Sequence, residues 1–204
     1  MSVYQLKTRF QTILRPLVRF LAARGVTANQ VTLVAAVVSV ALGLFLSLAP
    51  YPHWFLLVPI WFLLRMGLNA IDGMLAREHG QKSLLGAYLN EISDIISDAA
   101  LYLPFALIEQ TGMLPALAVI FLSTLTEFAG VLGQAVGASR RYDGPLGKSD
   151  RALVFGALAC WIGFGGALPG PLLWLMPAIG LLLLVTTVNR VRAGLAEGVY
   201  GRIG

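Results

Sequence analysis

The stretch LNAIDGMLAREHGQKSLLGAYLNEISDIISD, residues 68 to 98, sets carboxylates and amides at helical spacing between two apolar segments. Asn69, Asp72 and Ala76 fall on one helical face, and Gly86, Asn90, Asp94 and Asp98 follow in successive steps of four on the next segment. A short turn at 77–83 makes the two segments antiparallel neighbours, so the polar stripes can face one another. Facing carboxylates repel unless a cation or protons lie between them. Oxygen-only ligands without cysteine favour a hard divalent ion, Mg²⁺ or Mn²⁺. Gly73 and Gly86 remove side chains where a bulky group can approach the backbone.

The elements that must position these groups are membrane helices. Of the 204 residues, 57% are hydrophobic and 12% charged, and the mean hydropathy is +0.78. A soluble domain carries about twice that charge. Apolar spans are expected at 28–49, 54–76, 84–108, 113–137, 150–168 and 171–192. Residues 3–24 read as an amphipathic basic helix lying in the membrane interface. Thr27 and Gln30 are spaced as a capping box at the start of the first span. With six spans, 14 of the 15 Lys and Arg residues fall on one side, the exception being Arg65 within a span. The positive-inside rule then places both termini in the cytoplasm. The expectation is an all-α integral membrane protein forming one domain over 1–204, seated in a bacterial cytoplasmic (inner) membrane. Its site would open to the cytoplasm. The single Cys160 excludes a disulfide framework, and membrane topology accounts for the basic pI without nucleic acid.

The stripe resembles the signature of the CDP-alcohol phosphatidyltransferase family, D-x2-D-G-x2-A-R-x8-G-x3-D-x3-D. Here it reads Asn69, Asp72-Gly73, Ala76-Arg77, Gly86, Asn90 and Asp94, with every spacing kept and six of eight identities. The resemblance implies displacement of CMP from CDP-diacylglycerol by a small polar alcohol, in phospholipid biosynthesis. It implies one or two Mg²⁺ or Mn²⁺ ions at Asn69, Asp72, Asn90 and Asp94, with Asp94 as base. Asn29, Thr32, Gly73, Arg77, Ser83 and Gly86 would contact the cytidine diphosphate, and a homodimer is the form such relatives commonly take. The two asparagines bring oxygen without charge, and Glu91, beside Asn90, can restore one carboxylate.

Two further sets stand out. Arg65, Asp98 and Glu127 share a depth and are expected to form a buried structural cluster. Arg140, Arg141, Lys148 and Arg151, around the 138–151 turn, are candidates for the phosphate of an acceptor such as glycerol 3-phosphate. The competing readings are a catalytically inactive relative that binds CDP-lipid or serves as a partner subunit, and a small transporter. Outer turns almost bare of charge count against transport.

Overall fold

The computed structural model describes residues 3–49, 51–165 and 170–200. It is all-helical among them, with seven α-helices: α1 Val3–Ala23, α2 Ala28–Leu48, α3 Leu57–Glu78, α4 Leu84–Ala106, α5 Met113–Ala135, α6 Lys148–Gly163 and α7 Leu175–Tyr200. Four segments are long and apolar enough to cross a membrane: Ala28–Leu48, Pro52–Glu78, Met113–Ala135 and Leu175–Gly198. The six-span expectation also counted α4 and α6. Glu91, Asp94 and Asp98 set α4 apart from a plain apolar span. The 16 residues of α6 reach about 24 Å, short of a hydrocarbon core of about 30 Å. The expected end of that span at 166–168, and most of the turn after it, lie outside the described residues.

The chain divides into two compact units, Met1–Ala41 with Ile60–Ser97, and Leu42–Pro59 with Asp98–Gly204. In the first, α1 packs onto α2 and α3. Val18, fully buried, meets Ala28 and Val31 of α2 and Ile71, Met74 and Leu75 of α3. Ile13, Leu17 and Phe20 of α1 remain exposed, so the helix carries apolar residues on an outward face as well. Its C-terminal turn closes at Gly25, whose φ of 75° favours a residue without Cβ.

In the second unit an aromatic core joins α4 to α6. Tyr102 stacks on Phe155 at 4.0 Å between ring centroids, and Phe105 meets Phe155 edge-on at 5.0 Å. Gly43 of α2 lies directly against α4: a Cβ there would sit 2.1 Å from the Ala100 carbonyl oxygen. The 136–147 loop folds back over α5. Gly130 and Gly133 admit it, each leaving room for a loop carbonyl where a Cβ would clash at 2.7 Å.

Candidate functional site

The α3–α4 hairpin is assembled by local sequence. Ser83 caps α4, its hydroxyl oxygen accepting from the Gly86 N–H at 2.9 Å. The expected box opens α2: Thr27 Oγ1 accepts from the Gln30 N–H, and Gln30 Oε1 accepts from the Thr27 N–H. Gln81, in the turn between α3 and α4, accepts from the Ala28 N–H at 2.7 Å and donates to the Val26 carbonyl at 3.4 Å. The two turns are thereby tied together. Arg15 of α1 grips Glu78 at the end of α3 through two bonds of 3.0 and 3.1 Å.

One contact sets the register of the hairpin. Arg65 of α3 donates to Asp94 of α4, at 3.0 Å to Oδ1 and 3.2 Å to the carbonyl. In antiparallel helices, four residues on from Arg65 and four back from Asp94 move the same way. Asn69 and Gly73 lie one and two turns from Arg65 toward the hairpin turn, and Asn90 and Gly86 lie one and two turns from Asp94 in the same direction. The Arg65–Asp94 pair joins the two stripes.

The remaining signature residues have defined neighbours. Asp72 is buried, 6% exposed, and its Oδ2 accepts from the Thr32 hydroxyl at 2.8 Å. The Arg77 guanidinium folds over Gly73: a Cβ on that glycine would lie 3.0 Å from both terminal nitrogens. A Cβ on Gly86 would lie 2.9 Å from Asn29 Oδ1 and 3.0 Å from Ser83 Oγ. Asn29, Ser83 and Gly86 therefore converge, and the lack of a Cβ at both glycines lets polar side chains pack against the backbone. Asn69, Asn90 and Glu91 are half-buried on these stripes.

The donor set decides what ion it fits. No group of three His, Cys, Asp or Glu side chains able to hold a metal ion occurs among the described residues. The stripe instead offers two carboxylates, Asp72 and Asp94, and two amides, Asn69 and Asn90. All four are hard oxygen donors, which fits Mg²⁺ or Mn²⁺ but not a softer metal.

The buried charges have these neighbours. Arg65 binds Asp94, within the first unit. Asp98 and Glu127 share Arg151, whose Nη2 lies 3.0 Å from Asp98 Oδ2 and 2.9 Å from Glu127 Oε1. Arg151, expected at an open phosphate site, has a fully buried side chain. Glu127 also holds Arg140 at 3.2 Å and Arg190 at 3.3 Å. The reason is reach: Arg151 stands one turn into α6, deep enough for its long side chain to neutralise two acids that would otherwise be severely penalised. Arg190 was missed as a site candidate because its cationic type near the end of the last span reads as an ordinary anchor. It is 2% exposed and donates to the Thr126 carbonyl at 2.6 Å.

The basic turn is knitted into a loop. Arg141 makes a fork to Asp143, with bonds of 2.9 and 3.0 Å, and also pairs with Glu197 of α7. Those hydrogen bonds raise the Arg141 pKa and hold the Asp143 carboxyl below the usual carboxylate value. Ser139 donates to Glu197 through its N–H and its hydroxyl, both at 2.9 Å. Asp150 accepts from the Gly147 N–H at 2.8 Å as α6 begins, and Lys148 opens that helix, half-buried.

Residues 25–196 match the CDP-alcohol phosphatidyltransferase family. The chain belongs to that family. Among its relatives, an Escherichia coli protein named inner membrane protein YnbA is 48% identical over 200 residues, covering 95% of this chain and 96% of the relative. Phosphatidylinositol phosphate synthase of Streptomyces avermitilis is 28% identical, over 92% of this chain and 81% of its own length. In fold, the chain is similar to the crystal structure of Mycobacterium tuberculosis phosphatidylinositol phosphate synthase with CDP-DAG bound. The TM-score is 0.72 at 22% identity, covering 90% of this chain and 94% of the other. A second structure of that synthase, in complex with manganese and citrate, gives a TM-score of 0.70 over 88% of each chain. The transferase family read from the hairpin is thereby established.

Proposed function

We propose that the protein transfers a phosphatidyl group from CDP-diacylglycerol to a small polar alcohol and releases CMP. The observation that carries this reading is the signature itself: six of eight identities at unbroken spacing, on a hairpin whose register the Arg65–Asp94 bond fixes. Asn29, Arg77, Ser83 and the openings at Gly73 and Gly86 form the candidate cradle for the cytidine diphosphate. Thr32 orients Asp72. Asp94 is the candidate base: it takes the acceptor hydroxyl proton as the new oxygen–phosphorus bond forms and the bond to CMP breaks. Arg65 holds Asp94 in place for that step. Asn69, Asp72, Asn90 and Asp94, with Glu91 adjoining, are the residues that would hold Mg²⁺ or Mn²⁺. When bound, such an ion neutralises diphosphate charge, which is the main requirement of phosphoryl-type displacement.

For the acceptor we favour a phosphorylated alcohol, with glycerol 3-phosphate first and an inositol phosphate second, the latter from the named activity of the relatives. Two buried arginines, Arg151 and Arg190, and the half-buried Arg140 surround two acids, Asp98 and Glu127, leaving a net positive charge that suits an anion. Lys148 precedes Arg151 on α6. Arg141, tied to Asp143 and Glu197, serves this reading as an anchor of the loop. Six spans with both termini in the cytoplasm, a site open to that side and a homodimer complete the proposal.

The test is purified protein with CDP-diacylglycerol, Mn²⁺ or Mg²⁺ and a panel of alcohols, following CMP. Release that needs both acceptor and metal, and that disappears in Asp94→Ala, supports the transferase. The asparagines at 69 and 90 favour a second reading, a lipid-binding relative without turnover, and tight CDP-diacylglycerol binding with no CMP release would select it.

A further inference from the structure

We infer that this site is built for a single divalent cation, and that the Arg65 guanidinium supplies the positive charge a second ion would bring. The inference rests on the metal-site reading above and goes further than it. The four ligand positions carry two carboxylates and two neutral amides. One divalent ion balances the two carboxylates, whereas a second leaves two positive charges in excess within a low-dielectric hairpin. Arg65 moves the balance further in the same direction. Its side chain is 5% exposed, its Nη2 lies 3.0 Å from Asp94 Oδ1, and its guanidinium cannot lose its proton. Asp94 therefore already carries a fixed counter-charge.

The arrangement also explains why amides are tolerated here. Beside a fixed guanidinium, two asparagines keep four oxygen ligands without the repulsion that four carboxylates require two ions to relieve.

The experiment counts ions and does not depend on turnover. Purified protein in detergent is titrated with Mn²⁺, and the free-ion electron paramagnetic resonance signal gives the number bound. The native chain should saturate at one ion that Asp72→Ala abolishes; saturation at two, or no binding, overturns the inference. The Asn69→Asp, Asn90→Asp double variant should take up a second ion, and a count still at one refutes the charge argument. Arg65→Gln, shown to be folded by its melting curve, should bind its ion about tenfold more tightly, because a nearby positive charge has gone. Unchanged affinity in that folded variant refutes the role of Arg65; if it does not fold, the two counts decide. One bound ion without CMP release would sink the proposed transferase and leave this inference standing. Two bound ions with CMP release would do the reverse.

Discussion

Replacing Arg151 by methionine tests the buried charge cluster most directly. Methionine keeps the length and apolar stem of arginine and deletes the guanidinium. The native group is fully buried and bridges Asp98 at 3.0 Å and Glu127 at 2.9 Å through one nitrogen. Glu127 retains Arg140 and Arg190, so its loss is partial, and Asp98, itself only 5% exposed, loses its bond to Arg151. Removing one partner of a buried pair costs about 3–5 kcal/mol, because a charge is left in a medium that cannot solvate it. With the shared contacts at Glu127, the lower end, about 3 kcal/mol, is expected here. For a chain of this size that corresponds to a fall in melting temperature of roughly 6–12 °C. The assay is thermal unfolding in detergent, run on Arg151→Met, Glu127→Gln and the pair together. Glu127→Gln alone leaves three arginines with one acid and should also destabilise. The double variant should lose at least about 1 kcal/mol less than the sum of the singles, the mark of direct coupling. A drop under about 2 °C for Arg151→Met, or strict additivity, would refute the claim that these charges are desolvated and mutually dependent.

Three other outcomes are expected. Gly43→Ala should destabilise by about 1–3 kcal/mol in the same melting assay, since its Cβ would lie 2.1 Å from the Ala100 carbonyl oxygen and α2 must move away from α4. Thr32→Val, nearly isosteric, should weaken folding by about 1–2 kcal/mol through loss of the hydroxyl bond to buried Asp72, and should lower Mn²⁺ affinity more than it alters CDP-lipid binding. The Asp143 carboxyl is held below its ordinary value by the Arg141 hydrogen bonds, so its contribution is fully present above the unfolded pKa and is lost as pH falls through the folded one. Hydrogen exchange in the 139–147 loop should therefore accelerate only under strongly acidic conditions, and Asp143→Asn should produce the same loosening at neutral pH.

The hairpin was legible in the sequence because its determinants are local. Spacing fixed which residues share a helical face, a short turn required antiparallel packing, and Thr27–Gln30 and Ser83 marked helix starts. The partners of the buried charges were not legible. Depth along a span predicts which residues share a level, but not how far an arginine reaches from another helix. Arg65 binds Asp94, and Arg151, read from the sequence only as a phosphate candidate, bridges Asp98 and Glu127. The cations of the loop are candidates for a phosphate in the sequence; Glu197, far along the chain, accepts from Arg141 and Ser139. Periodicity places α4 and α6 in the span count, while acidic content and length set them apart from the four segments that length and composition alone mark as spans.

The tie between Arg65 and Asp94 bears on how the hairpin is made. A nascent helix pair bearing four bare acids on facing stripes would have to wait for ions before its negative charges could approach within the bilayer. Here one acid brings its own partner from the neighbouring helix, and the two amides can hydrogen-bond without any guest. On the proposed metal reading, the hairpin need not wait for an ion before it closes, because part of its charge is neutralised from within.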